Sequence, residues 1–252
     1  MAYDIVVRNG RLLDGTGMPW SHRDIAIRKG RIARVGGLGR AKAALEIDAE
    51  GQYVSPGFID IHTNSDVGLL VERTAEAAVR QGVTTQVIGN CGDSPAPISD
   101  RYRELAVRRF GYYAQASEWT WSTYGGYLDF LERGGVGINV AGLVGHGSVR
   151  LATMGFDDRA PTDAELREMK GYVAEAMRSG AFGMSTGLVY PPGCFAATEE
   201  IVELAKISAR RGGFYASHIR GERETILEAV RECIAVGERA GCPVQISHNA
   251  PK

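Results

Sequence analysis

Two patterns of hydrophobic and polar residues divide the chain, and they meet near Pro56. Before Pro56, short apolar runs alternate with turn signals, which are Asn9-Gly10, Lys29-Gly30 and Glu50-Gly51. Asn-Gly is the strongest of these signals because both residues tolerate a positive φ, whereas only the glycine does so in the other two. We therefore predict that residues 1–55 form β-hairpins, with one buried face marked by Ile25, Ile27 and Ile32.

After Pro56, short apolar strands alternate with helical stretches. The predicted strands are 58–62, 84–88, 138–144, 182–185, 214–218 and 244–248. One helix is capped by Thr162 or Asp163 and stops at Gly180, a second starts at Thr198, and a third has Cys233 on its apolar face. This alternation predicts a parallel sheet, open or closed. A closed barrel needs eight strands, so the sheet is open or the chain is the front portion of a longer protein.

An aromatic and basic insert near residues 95–135 interrupts the alternation. In α/β enzymes, inserts that follow a strand often carry substrate-binding loops. Two interpretations of Trp119, Trp121 and Tyr124 stay open, because these rings could line a pocket or cover the edge of the sheet.

Composition excludes several classes of protein. The 252 residues have a net charge of -1 and 23% charged residues, which is typical of a soluble globular protein and gives no reason to expect nucleic acid or an anionic membrane as partner. No apolar stretch approaches the roughly 18 residues of a membrane span, and the N-terminus lacks the apolar core of a secretory signal. Four cysteines form no dense disulfide framework, so we expect reduced thiols in the cytoplasm.

Histidines and a cysteine follow the predicted strands. In parallel α/β folds the chemistry gathers at the carboxyl ends of the strands. Four of the five histidines stand there, together with one cysteine and several other polar residues; they are His62, Cys91, His146, Ser185, Thr186, Tyr190, His218, Arg220, Glu222 and His248. We therefore expect these side chains to share one edge of the sheet.

Imidazole and thiolate together favour a metal such as Zn²⁺. Three protein ligands and an open water position are the usual catalytic arrangement, and we predict Cys91, His218 and His248 as the three. Each alone has a structural explanation, since a lone cysteine after a strand is commonly a small buried hydrophobe. Their grouping with His62 and His146 on one edge favours the metal.

Other polar residues at this edge are candidates for contacts with a substrate. His146 and Tyr190 could polarise a carbonyl oxygen. Arg220 could bind a substrate carboxylate as a two-pronged donor, and the alternative is a salt bridge to Glu222 or Asp66. No role is assigned to Cys194, Cys233, Cys242 or Lys252.

Six motifs resemble, in order, those of the D-aminoacylase (N-acyl-D-amino-acid deacylase) family of the amidohydrolase superfamily. They are VSPGFIDIHTNSD, RQGVTTQVIGNCGDSPAP, GLVGHGSVR, GMSTGLVYPPG, YASHIRGE and QISHNAPK. The resemblance implies a (β/α)8 TIM barrel, of which about six strands are present in residues 56–252, preceded by a β-sandwich portion in residues 1–55. It implies zinc-dependent hydrolysis of N-acyl-D-amino acids, small molecules, to a carboxylate and a free D-amino acid.

The resemblance also implies site residues. Cys91, His218 and His248 would hold the tight metal, and His62 and Asn64 would form a weak second position bridged by Cys91. The family has a histidine where this chain has Asn64, and an amide oxygen suits zinc poorly beside imidazole, so we expect that position to be weak or empty. The family's general acid/base aspartate would lie beyond Lys252.

Two alternatives remain at this point. A cyclic-amide hydrolase of the hydantoinase or dihydroorotase type usually has a carboxylated lysine after strand four, where this chain has GMSTG. If the chain natively ends at residue 252, we expect an inactive fragment or a binding protein, since the acid/base aspartate and barrel closure would be missing. The acyl group, the side-chain preference, the stereochemistry and the oligomeric state are not indicated by the sequence.

Overall fold

The computed structural model describes residues 2–111 and 118–248. The chain divides into two compact units, Met1–Phe58 and Ile59–Lys252. The strands of the first unit are β1 (Tyr3–Arg8), β2 (Arg11–Leu12), β3 (Ser21–His22), β4 (Asp24–Arg28), β5 (Arg31–Gly36), β6 (Ala43–Asp48) and β7 (Tyr53–Val54). They form a four-stranded sheet in the order β5-β4-β1-β6 and a three-stranded sheet in the order β3-β2-β7.

One of the three predicted hairpins is confirmed. Strands β4 and β5 pair antiparallel across the Lys29-Gly30 turn. Both turn residues have left-handed backbones, with φ of 51° and 68°. Although Lys-Gly is a weaker signal than Asn-Gly, the flanking strands stay in one sheet here, so a tight hairpin forms.

The hairpins predicted at Asn9-Gly10 and Glu50-Gly51 are wrong. Each turn carries the chain from one sheet to the other, so that β1 lies parallel to β6 and β2 lies parallel to β7. The two turns run side by side, and the Gly51 N–H donates to the Asn9 carbonyl at 2.8 Å. Asn9 and Glu50 have φ of 57° and 49°, so the sequence signal for a left-handed turn was correct, but it did not determine the strand's partner.

A six-stranded parallel sheet, curled into half a barrel, organises the second unit. Its strands are β8 (Phe58–Asp60), β9 (Val83–Ile88), β10 (Asn139–Gly145), β11 (Gly183–Gly187), β12 (Phe214–His218) and β13 (Val244–Ile246). Each strand lies beside its neighbours in the chain, in the order β13-β12-β11-β10-β9-β8. The predicted parallel sheet is confirmed, with element ends shifted by one or two residues.

Helices alternate with these strands. They are α1 (Gly68–Val71), α2 (Glu76–Val79), α3 (Arg103–Arg109), α4 (Tyr124–Gly134), α5 (His146–Met154), α6 (Asp163–Arg178), α7 (Thr198–Ala209) and α8 (Ile226–Ala240). Thr162 rather than Asp163 caps α6, because its side chain accepts from the Glu165 N–H while Glu165 accepts from the Thr162 N–H. Met169 and Val173 of α6 are fully buried in the core of this unit. Among the described residues, none of the helices combines the length and apolar character needed to cross a membrane.

The aromatic insert contributes to the core. Trp121 and Tyr124 are almost completely buried, and the Trp121 indole N–H donates to the Pro95 carbonyl at 2.8 Å. The Trp119 and Trp121 rings stack 5.0 Å apart. Of the two interpretations left open by the sequence, these rings therefore favour cover for the sheet over a pocket lining. Residues 112–117 of the insert lie outside the described residues.

Candidate metal centre

The carboxyl ends of the strands bring the predicted ligands to one edge of the sheet. His218 is the last residue of β12, and His248 follows β13 by two residues. Cys91 follows β9 by three residues, and His62 follows β8 by two. Adjacent parallel strands end side by side, so residues far apart in sequence meet here.

One group of metal-binding side chains is formed by His62, Cys91 and His248. The Cys91 Sγ lies 3.3 Å from the His62 Nε2 and 3.5 Å from the His248 Nε2. A sulfur and a nitrogen bound to the same tetrahedral zinc would be about 3.6 Å apart. Both sulfur–nitrogen separations are therefore close to the value expected for two ligands of one zinc ion.

A second group shares His248 and adds His218 and Glu222. The Glu222 Oε1 lies 3.2 Å from the His218 Nε2 and 3.7 Å from the His248 Nδ1. The rings of His218 and His248 meet edge to face with centroids 4.3 Å apart. On its other side, the His218 Nδ1 lies 3.3 Å from the Tyr190 hydroxyl.

The structure does not bring the predicted trio of Cys91, His218 and His248 together as one group. Among the described residues, the donor sets whose atoms all lie within 4.8 Å of one another are the two groups above, and His248 belongs to both. The sequence correctly indicated that all three residues lie at one edge of the sheet. It did not indicate that Glu222 would lie beside His218 and His248, or that His62 would lie beside Cys91. These positions depend on side-chain directions after each strand, which the spacing of motifs does not encode.

Burial sets the protonation of the metal-binding groups. Burial, followed by the charges of Asp93, Asp66 and Glu222, raises the pKa of the Cys91 thiol to about 11. Burial, followed by repulsion from His248, lowers the pKa of His62. At neutral pH His62 therefore keeps a lone pair for a metal, whereas a cation must displace the Cys91 proton in order to bind.

Glycines shape the loop that carries Cys91. Cys91 itself has a left-handed backbone with φ of 54°. A Cβ added to Gly92 would lie 2.5 Å from the Gly187 N, and one added to Gly145 would lie 2.5 Å from the Gly92 O. A Cβ on Gly187 would collide with the Cys91 carbonyl. The loop after β9 thus rests backbone to backbone on the ends of β10 and β11.

A cavity of about 450 Å³ opens beside the thiol; its lining residues are Asn64, Cys91, Asp93, Arg109, Tyr190 and Pro191. The Arg109 guanidinium donates two hydrogen bonds to the Asp93 carboxylate, of 2.6 and 3.1 Å, and a third to the Pro191 carbonyl at 2.7 Å. The end of α3 is thereby tied to the loops after β9 and β11. Arg109 was not among the residues predicted from the sequence, where the signals that point to it are the basic character of the insert and the acid two residues after Cys91.

His146 occupies a different environment from the other strand-end histidines. It is completely buried, and its Nε2 donates to the Glu200 carboxylate at 2.8 Å. Arg150 donates to the other oxygen of that carboxylate at 2.6 Å. The structure thus gives His146 a hydrogen-bond partner inside the fold, and a contact with a substrate carbonyl stays a prediction.

Arg220 is held by the protein. Its guanidinium forms a two-pronged pair with Glu232, with Nε–Oε2 and Nη2–Oε1 both 2.9 Å, and donates to the carbonyls of Cys194 and Ala196. The alternative partners named from the sequence, Glu222 and Asp66, are wrong, because Glu232 on α8 takes that place. A larger cavity, about 510 Å³, is lined by Arg220 and Glu232 but by none of the candidate metal ligands.

The similarity of this chain to known proteins agrees with this geometry. A model of the amidohydrolase family matches residues 45–251, which is most of the chain. The chain belongs to the amidohydrolase family. The D-aminoacylase of Alcaligenes xylosoxydans xylosoxydans is 39% identical to this amidohydrolase chain over 247 residues, which are 98% of the chain and 50% of that protein.

Solved structures extend the similarity. N-acyl-D-glutamate deacylase from Bordetella bronchiseptica, complexed with zinc and a phosphonate inhibitor, has a TM-score of 0.87 and 36% identity, covering 97% of this chain and 51% of that one. A D-aminoacylase structure from work on its binuclear metal centre has a TM-score of 0.89 and 37% identity, covering 98% and 51%. The predicted resemblance and the amidohydrolase barrel fold are confirmed, and the chain spans about half the length of these relatives.

Proposed function

We propose that this amidohydrolase chain belongs to a zinc-dependent enzyme that hydrolyses the amide bond of N-acyl-D-amino acids to a carboxylate and a free D-amino acid. The observation that carries the proposal is the meeting of Cys91 with His62 and His248, at separations that suit a bound metal. Its support from relatives is the similarity to a D-aminoacylase and to a zinc-containing N-acyl-D-glutamate deacylase.

The proposed tight metal is held by Cys91, His218 and His248. His248 supports this assignment because it contacts both the thiol and the His218 ring. A weak second position uses His62 and Asn64, with Cys91 shared. Asn64 is exposed and lines the same cavity as the thiol, so its amide oxygen is available but is a poor zinc ligand.

A bound divalent metal supplies a water of lowered pKa and polarises a carbonyl group. The protein's own residues then do the rest. In this proposal the Cys91 thiol would lose its proton on metal binding. The Tyr190 hydroxyl, which lies 3.3 Å from the His218 Nδ1 and whose residue lines the cavity, would donate a hydrogen bond to a substrate carbonyl. Arg220 is less suited to bind a substrate carboxylate, since its guanidinium already pairs with Glu232.

The cyclic-amide alternative finds no support in strand β11. Solved hydantoinases share the fold at 18 to 20% identity and TM-scores near 0.6, which does not indicate their activity. The polar residues of β11 are used inside the sheet: Ser185 accepts from the Gly92 N–H at 3.0 Å, and Thr186 contacts the hydroxyls of Tyr215 and Ser217. The position of the expected lysine is therefore filled by groups that hold the fold together.

Activity on D-substrates tests the proposed function. We expect protein from the complete reading frame to release amino acid from N-acetyl-D-amino acids and not from their L-enantiomers. A chelator should abolish the release and added zinc should restore it, as measured by detection of the free amine. Equal rates on both enantiomers, or activity that survives chelation, would contradict the proposal.

Replacing Asn64 with histidine should strengthen the second metal position. An imidazole replaces an amide oxygen beside His62 and Cys91, so we expect the affinity for a second zinc ion to rise. The expected rise is at least about 10-fold, the lower end of the affinity change produced by altering groups just outside the direct ligands. Zinc competition with a chromophoric chelator measures it, with Asn64→Ala as the matched control. If Asn64→His and Asn64→Ala bind zinc alike, residue 64 does not belong to the position.

A further inference from the structure

Glu222 stands against both histidines of the proposed tight site. It lies four residues after His218, on the loop between β12 and α8, and about a fifth of its side chain is exposed. A single oxygen, Oε1, lies 3.2 Å from the His218 Nε2 and 3.7 Å from the His248 Nδ1. One carboxylate is thus within reach of one ring nitrogen on each histidine.

A neutral imidazole has one N–H and one lone pair. A carboxylate can accept a hydrogen bond but cannot donate one, so a ring nitrogen that faces Glu222 is favoured in its protonated form. Glu222 lies 3.2 Å from the His218 Nε2, and its 3.7 Å distance to the His248 Nδ1 is longer than a hydrogen bond. The negative charge nevertheless favours the tautomers that carry the proton on these two nitrogens. The lone pairs are then left on the opposite nitrogens. For His248 that nitrogen is Nε2, the atom 3.5 Å from the Cys91 Sγ. For His218 it is Nδ1, which faces Tyr190 at the cavity wall.

We propose that Glu222 is a positioning residue of the metal centre, which fixes the tautomer and orientation of His218 and His248 so that each directs its lone pair toward the metal beside Cys91. The inference rests on the proposed function for the existence of that metal. Outer carboxylates that accept from ligand imidazoles raise their basicity and commonly change metal affinity 10- to 100-fold.

His62 provides a contrast within the same molecule. Its Nδ1 is buried and has no hydrogen-bond partner among the described residues, although its Nε2 lies 3.3 Å from the thiol. If it bound a metal through Nε2, the opposite N–H would have no acceptor in the part of the chain that the structure describes. The His218 Nε2 and the His248 Nδ1 differ from the His62 Nδ1 in facing the Glu222 carboxylate, although neither contact has the geometry of a full hydrogen bond. Under this proposal, that carboxylate favours metal binding by His218 and His248 over metal binding by His62.

A direct bond from Glu222 to the metal is the competing arrangement. It would require His248 to offer its lone pair at Nδ1, which places the ring proton on Nε2 and leaves the Cys91 thiol out of the site. A neutral imidazole cannot serve both sides with one lone pair. The positioning role keeps the thiol, the softest ligand available for zinc, in the centre.

The affinity for metal alone tests the proposal. We expect Glu222→Ala to weaken zinc binding 10- to 100-fold in chelator competition. Glu222→Gln, which keeps an acceptor oxygen without the charge, should fall between Ala and wild type. The neighbouring exposed carboxylate provides the control, Glu224→Gln, which should match wild type.

Cobalt substitution distinguishes positioning from ligation. At saturating Co²⁺, the Glu222→Ala variant should keep the thiolate-to-cobalt charge-transfer band of Cys91, because the thiol remains a ligand and only the affinity falls. Zinc affinity within about twofold of wild type would overturn the proposal. Loss of stoichiometric metal in Glu222→Ala, together with its retention in Cys91→Ala, would overturn both this inference and the thiol-centred assignment. Loss in Cys91→Ala with an unaffected Glu222→Ala overturns this inference alone.

Discussion

Cys91→Ala is expected to weaken tight zinc binding by more than about 100-fold, beyond the range typical of changes to outer groups. The thiolate is the anionic ligand of the proposed site and lies within 3.5 Å of two imidazole nitrogens. Without it, His62 and His248 lose the thiolate that lies beside both of them. Zinc content after dialysis, and affinity by chelator competition, measure the change.

Cys194→Ala is the matched control. It also removes one partly buried thiol, but from a short turn after Pro192 where no metal-binding group is formed with it among the described residues. Wild-type affinity in Cys194→Ala and its loss in Cys91→Ala would support the assignment. Unchanged tight binding in Cys91→Ala would falsify it.

Glu200→Gln is expected to lower the free energy of unfolding by about 3–5 kcal/mol at neutral pH, the range for breaking a buried ion pair from one side. The Glu200 carboxylate accepts from His146 and Arg150, and all three side chains are buried. The amide removes the charge and leaves the Arg150 guanidinium without its counterion. Urea unfolding followed by circular dichroism measures the loss.

The loss should depend on pH. Burial alone raises the pKa of Glu200, but the hydrogen bonds and charges of His146 and Arg150 outweigh it and hold the pKa below its ordinary value. The stabilisation is therefore present above the unfolded pKa of about 4.3 and is lost as pH falls through the lower folded pKa. The gap between wild type and Glu200→Gln should narrow over that acid range.

Glu203→Gln on the same helix is the control for Glu200→Gln. Glu203 pairs with Lys170 and Lys206, but all three side chains are at least 30% exposed, so we expect a change of at most about 1 kcal/mol. A loss in Glu200→Gln no larger than that in Glu203→Gln would show that the buried carboxylate does not stabilise the fold.

The second unit was largely predictable from the sequence because its patterns are local. Strand–helix alternation after Pro56 needs only the neighbouring residues, and Thr162 with Glu165 encodes a helix start within four positions. The first unit was less predictable. Asn9-Gly10 correctly indicated a left-handed turn, but whether β1 pairs with β2 or with β6 depends on residues about 40 positions away.

The sequence was sufficient to predict the edge of the sheet at which the candidate site lies. His62, Cys91, His218 and His248 each follow a strand directly, so the topology brings them together. The contacts that decide their roles involve residues on other elements: Glu200 on α7 engages His146, Glu232 on α8 engages Arg220, and Arg109 on α3 engages Asp93. Side-chain pairs of this kind have no signature in motif spacing.

The contacts among Gly92, Gly145 and Gly187 have a consequence for how this protein tolerates mutation. The loop of Cys91 rests closely on backbone atoms of neighbouring strand ends, so its position, and with it that of the sulfur, depends on the absence of side chains at these glycines. Because the atoms nearest to these glycines are mainly backbone atoms, a smaller neighbouring side chain would not make room for a larger residue there. A variant library would therefore show these three glycines to be as restricted as the metal ligands themselves, with affinity for the metal lost through displacement of a thiol that was never mutated.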